Sequence, residues 1–159
     1  MSLVKGVNSL ALPSEGDEYF STRVDSEAWL TANYARKAAA LVTGTGIFDE
    51  LLWIGVAVSD TQLTAFPRKG SYFDPRLGMT VTLDGTFTPK RVMTALFELS
   101  LHLLNNEDLL NDTGSIETLK LSGIELKEIK SVATLPAAIK RIVRPLLENR
   151  GAASWWRAN

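Results

Sequence analysis

The stretch that most constrains this chain is TPKRVMTALFELSLHLLNN, residues 88–106. Thr88 reads as an N-cap and Pro89 as the first helical position, where a missing N–H donor costs nothing. Val92, Met93, Leu96, Phe97, Leu99, Leu103 and Leu104 then recur at three- and four-residue spacing. That spacing is the signature of an apolar helical face. Arg91, Thr94, Glu98, His102 and Asn105 are left on a narrow polar stripe. A helix with so wide an apolar arc must be packed on several sides, so it is expected to be the central element.

The chain has 159 residues, 45% of them apolar, which suits one domain with a substantial core. Seventeen basic residues face 18 acidic ones, so attraction to a polyanion must be local rather than global. With no cysteine there is no disulfide, thiol nucleophile or thiolate metal site. The opening MSLVKGVNSLALP lacks the basic start and apolar run of a secretory signal, and no apolar stretch is long enough to span a bilayer.

In chain order, residues 1–13 read as an extended arm. Ser14 and Asp17 resemble a capping box for a short helix that carries Tyr19 and Phe20 inward. Asp25 or Ser26 caps a second helix, with Glu27 in its first turn and Trp29 and Leu30 as apolar contacts. Helical spacing continues from Tyr34 towards Leu52 through Gly44 and Gly46. There the helix must either break or receive a tightly packed neighbour. Residues 67–78 read as a long loop, and MTVTLDGTF as a hairpin turning at Asp84-Gly85. ETLKLSGIELKEI reads as a second hairpin about Ser122-Gly123. PAAIKRIVRPLLENRG reads as a last helix that Pro145 kinks or ends. The tail ASWWRAN carries two indoles with too little sequence to bury them.

His102 is the only histidine, so no multi-histidine metal site can be assembled from one chain, and no metal ligand, cofactor site or catalytic residue is assigned. Glu98 and His102 lie one turn apart and are the only candidate for a small enzyme, a pairing that solvation explains more simply. Gly44-Thr45-Gly46 lacks the preceding strand and the lysine of a phosphate loop. Lys140, Arg141 and Arg144, extended by Arg150 and Arg157, form a positive face beside the tryptophans. Such a face could hold bases or a neighbouring protein; neutral overall charge favours a solvated helix face or a protein interface over nucleic acid.

Several segments together carry a resemblance: NSLALPSEGDEYFSTR, YARKAAALVTGTGIFDELLWIG, QLTAFPRKG, PKRVMTALFELSLHLL and LPAAIKRIVRPLL. In this order they resemble the tailed-phage family labelled DnaT-like single-stranded DNA-binding proteins. The most specific motif residues are Gln62, Phe66, Pro67, Arg68 and Gly70. The fold that this resemblance implies is similar to that of phage head-to-tail adaptors: α+β, mainly α, a helical bundle around residues 88–106 with one or two β-hairpins and extended terminal arms. It implies one adaptor-like domain over residues 1–150 and a docking tail over 151–159.

The expected function is accordingly a structural virion protein, not an enzyme. It would form a homo-oligomeric ring, a dodecamer, between the portal protein and a tail or stopper protein. Genomic DNA would pass its lumen without sequence-specific binding, and no membrane would be involved. The expected location is the virion neck, with host cytoplasm during assembly. Trp155, Trp156 and Arg157 would dock on the portal, and Asp84, Gly85, Arg91, Glu98, Ser122 and Gly123 would meet neighbouring subunits or the tail. The alternative is a phage replication accessory protein that binds single-stranded DNA.

Overall fold

The computed structural model describes residues 2–107, 109–110 and 135–148. These residues form an α+β domain of five α-helices and a small three-stranded antiparallel sheet. In order they are α1 (Pro13–Phe20), α2 (Glu27–Thr31), α3 (Tyr34–Asp49), β1 (Val56–Ala57), β2 (Arg68–Asp74), β3 (Met79–Asp84), α4 (Lys90–Asn105) and α5 (Ala137–Val143), which runs into a 3-10 turn at Arg144–Leu146. The expected hairpin at residues 117–129, with Ser122 and Gly123, lies outside the described residues, as does the tail with Trp155, Trp156 and Arg157.

Helix α4 is the core element, with Val92, Ala95, Leu96, Leu99 and Ser100 fully shielded from solvent. It starts at Lys90, and Pro89 stands at the cap in place of Thr88; the Pro89 carbonyl accepts from the Val92 and Met93 N–H groups at 2.9 and 3.2 Å. Helices α1, α2, α3 and α5 all pack on it. Helix α3 continues unbroken through Gly44 and Gly46. Gly44 is where α4 comes closest: a Cβ there would stand 3.0 Å from Leu96 Cδ1. Trp29 packs likewise over Gly16 of α1 and donates its indole N–H to Asp17 at 2.8 Å. Leu30, expected beside Trp29 in the core, is instead exposed, because this five-residue helix turns only one face inward.

The chain before α1 is not a free arm. Ser9, Leu10 and Ala11 are buried, and the Leu10 N–H donates to Thr45 Oγ1 of α3 at 3.1 Å. Apolar contact and a buried acceptor hold the segment down. The cap of α1 also differs from expectation. Leu12 is the cap residue, and its N–H is satisfied by Glu15 Oε2 at 2.7 Å rather than by a Ser14–Asp17 pair.

The loop expected at residues 67–78 contains a strand. β2 pairs with β3 in antiparallel register, Tyr72 opposite Val81 and Phe73 opposite Thr80, and β1 covers the other edge of β2 at Arg68 and Lys69. The hairpin therefore turns between Asp74 and Gly78, not at Asp84-Gly85. Asp74 Oδ1 accepts the Arg76 N–H at 2.9 Å, the Asp74 carbonyl accepts the Gly78 N–H at 2.8 Å, and Gly78 supplies the positive φ of 65°. Asp84 and Gly85 redirect the chain from β3 towards α4, with Asp84 Oδ1 accepting from Thr86 N–H and Oγ1 at 2.9 and 2.7 Å.

The last described segment closes the domain. Pro145 ends α5 as expected, and the residues after it pair with the segment following α3: Ile54 N–H donates to the Leu146 carbonyl at 2.9 Å and Glu148 N–H to the Leu52 carbonyl at 2.8 Å. Trp53 is clamped there between Phe48 and Phe66, with ring centroids 5.6 and 4.9 Å away in edge-to-face geometry.

Candidate functional site

The concave surface richest in chemistry is a groove of about 400 Å³ between the inner face of the β2–β3 hairpin and the first turn of α4. Tyr72, Val81, Phe87 and Ile142 give it apolar walls; Arg76, Lys90 and Arg91 bring three cations and Asp74 one anion. Phe87 is half exposed at 46%, and the Arg76 side chain is 73% exposed. The groove thus combines reachable cations with an aromatic surface, the pairing that single-stranded nucleic acid uses.

The placement of Lys90 and Arg91 is itself informative. Both lie in the first turn of α4, which contains no acidic residue, at the positive end of the helix dipole. Cations there are disfavoured by a few tenths to about 1 kcal/mol each. An anion bound against that turn would offset the cost, because it would meet the positive end of the helix and the Lys90 ammonium.

Asp74 organises the floor. Its carboxylate is nearly buried, with Oδ1 accepting from Arg76 N–H at 2.9 Å and Arg91 Nη2 at 3.2 Å, and Oδ2 accepting from Tyr72 Oη at 3.2 Å. Arg91 also donates to the Ile142 carbonyl at 3.1 Å, so one guanidinium joins hairpin, α4 and α5. The Arg76 guanidinium stands further off, 4.0 Å from Oδ2. Burial pushes the Asp74 carboxyl upward, but the Arg76 N–H, Arg91 and Tyr72 bonds outweigh it and hold the group below the usual range. Burial, then the adjacent Asp74 charge, raises the Tyr72 phenol.

Charge is sorted across the molecule. On the α1–α3 side cations are already paired: Lys5 with Glu15, Arg23 with Glu98, Arg36 with Glu107 and Lys37 with Asp17. Among the described residues, Arg68, Lys69, Lys90, Lys140, Arg141 and Arg144 form no ion pair. Lys90 is in the groove, and the last three are exposed on the α5 segment whose Ile142 forms a groove wall.

The residues singled out from sequence divide clearly. Arg91 lines the groove, whereas Asp84 and Gly85 are not among its lining residues and form the turn that leads from β3 to α4. Glu98 is tied into the domain, accepting from Arg23 Nε and Nη2 at 2.6 and 2.8 Å and from Tyr19 Oη at 2.6 Å. Burial would raise the Glu98 carboxyl, but Arg23 and Tyr19 bring it below its usual value. His102 lies beside Asn106, its Nδ1 at 3.4 Å from Asn106 Nδ2, whereas Glu98 is held by Arg23 and Tyr19. The polar stripe of α4 is therefore largely intramolecular rather than solvent-facing. No group of acidic or histidine side chains among the described residues could hold a metal ion.

The motif residues Gln62, Phe66, Pro67, Arg68 and Gly70 build a clasp. Gln62 Nε2 donates to the Thr64 and Pro67 carbonyls at 2.6 and 2.9 Å. Arg68 donates to the Ile54, Ala65, Trp53 and Gly55 carbonyls at 2.9, 3.3, 3.3 and 2.7 Å. Desolvation lowers its pKa. Gly70 crosses Gly55 so closely that a Cβ would lie 3.0 Å from the Gly55 Cα. Phe66 is buried against Trp53, and the Phe66–Pro67 bond is cis. Tyr72, Asp74, Arg76, Phe87 and Lys90 were not singled out from sequence. The signal that could have found them was the Lys90-Arg91 pair set immediately behind a helix-opening proline, against the dipole.

The family model described as "Putative DnaT-like ssDNA binding protein" matches residues 2–158. The chain belongs to this family. No curated protein and no solved structure matches it. The family description names single-stranded DNA binding, which overturns the expected head-to-tail adaptor, connector and portal-binding reading and favours the stated alternative. The expected partners fall with it: a portal ring, a tail or stopper protein, and DNA that only passes through a lumen.

Proposed function

We propose that the protein binds single-stranded DNA in the groove between the β2–β3 hairpin and α4. Backbone phosphates meet Arg76, Lys90 and the first-turn N–H groups of α4, and a base lies against Phe87. The observation that carries this reading is the position of Lys90 and Arg91 at the positive end of α4, facing a half-exposed phenylalanine across one concave surface. Family membership supports it.

A single strand is favoured over a duplex because only unstacked bases can present a face to Phe87. Near-neutral net charge, −1, requires the attraction to be local, as the gathering of Arg76, Lys90 and Arg91 in one groove provides. Lys140, Arg141 and Arg144, exposed on the α5 segment, offer further cations to a longer strand.

The test is fluorescence anisotropy with a labelled oligothymidylate and a duplex of equal length. Binding should favour the single strand and weaken with salt at a slope of about 0.7 per phosphate contacted. Equal affinity for the duplex, or binding indifferent to salt, would contradict the proposal.

A further inference from the structure

We infer that Asp74 is an internal competitor for the strand: its carboxylate holds the cations that a backbone phosphate would otherwise take, and so limits how tightly the groove grips DNA. The inference rests on the single-stranded DNA reading above and concerns the regulation of that same site.

Asp74 is surrounded as a bound phosphate would be. A backbone N–H, a guanidinium and a phenol all donate to its two oxygens within 3.2 Å. It lies in the groove lining among Arg76, Lys90 and Arg91, so its charge cancels one of three cations at the place where a phosphate would sit. The two arginines are held unequally. Arg91 is clamped between Asp74 and the Ile142 carbonyl, with only 20% of its side chain exposed, whereas Arg76 is 4.0 Å away and largely in solvent.

Arg76 is the cation free to leave. A phosphate can draw it from Asp74 at little cost, because the pair is long and solvated. Arg91 cannot leave without stripping a nearly buried carboxylate of its closest cation, which is strongly unfavourable. The groove therefore binds with one mobile cation and Lys90, while Arg91 supplies field but not a direct contact. Such binding is loose and exchanges quickly, as suits a protein that moves along a strand.

The test is Asp74→Asn in the full chain. The amide oxygen can still accept the Arg76 N–H, so the turn is kept while the charge is removed. Affinity for oligothymidylate should rise roughly threefold to tenfold at low salt, and the salt slope should steepen by about 0.7, one further phosphate contact. Arg76→Ala should cost more affinity in the Asp74→Asn background than in the wild type. Asp74→Ser, which also retains an acceptor, replaces Asp74→Asn if circular dichroism shows the latter misfolded. Wild-type binding with unchanged or weaker binding by the folded variant would overturn this inference and leave the DNA reading standing. No binding by either protein would overturn both.

Discussion

At the scale of single residues, the two glycines of TGTG separate two effects that sequence could not. Gly44 is covered by α4, and the neighbour that a Cβ would press on, the Leu96 side chain at 3.0 Å, is fully buried and has to shift by a few tenths of an ångström to admit it. Gly46 is exposed on the same helix with nothing near it. Gly46→Ala should stabilise the fold by about 0.5–1 kcal/mol through helix propensity. Gly44→Ala should lose that gain to overpacking, for a net destabilisation of about 1 kcal/mol. Urea denaturation of the two variants checks the difference. The glycine pattern was visible in sequence; which glycine is covered depends on how α4 crosses α3, and no local signal specifies that.

Tyr19 and Glu98 give a pH prediction at the same scale. Burial, followed by the Glu98 hydrogen bond, pushes the Tyr19 phenol up to about 12. A raised folded-state pKa means the native protein holds this proton more tightly. The stabilisation is present below the unfolded value, about 10, and is lost as pH rises towards 12. Glu98 has the opposite sense. Its folded value is lowered, so its contribution is present above the unfolded range and is lost as pH falls through the folded one. Chemical denaturation of Tyr19→Phe and wild type at rising alkaline pH should show a steeper loss in the wild type. Arg23 and Glu98 are 75 positions apart, which is why the sequence presented Glu98 only as part of a polar stripe.

At the scale of elements, α4 was legible because its apolar period and opening proline are strong local signals. The hairpin was legible as a hairpin but placed too late in the chain. Asp84-Gly85 is a stronger local turn signal than Asp74–Gly78, and Pro67 and Gly70 disguised β2 as a loop. Register was decided by pairing with β1 and by the Gly55–Gly70 crossing, both non-local. Arg68→Lys should expose the cost of that crossing: a lysine cannot reach four carbonyls at once, and the clasp should lose roughly 2–3 kcal/mol in thermal or urea unfolding.

Helix α4 carries a further prediction, because Lys90 opposes the dipole of the element it begins. Lys90→Glu should stabilise the fold by about 0.3–1 kcal/mol. The same change should weaken binding to single-stranded DNA. Opposite signs in the two measurements would mark Lys90 as a residue kept for its ligand at the expense of its helix. A loss of stability would show that the dipole is not the dominant influence there.

At the scale of the whole molecule, near-neutral composition limits any polyanion binding to a local surface but does not say where. The adaptor expectation came from an implied likeness of fold, and fold does not fix function. The positive face of α5 was legible from the spacing of Lys140, Arg141 and Arg144. The groove was not, since it is assembled from β2, β3, α4 and α5, which meet only in three dimensions.

Whether single-stranded DNA binds in this groove is decided by a salt series of anisotropy titrations with oligothymidylate for wild type and for Arg76→Ala combined with Lys90→Ala. The double variant should keep its thermal stability, bind at least tenfold more weakly at low salt, and have a salt slope shallower by about 1.4, two phosphate contacts at 0.7 each. A folded double variant with wild-type affinity and slope would contradict binding in this groove.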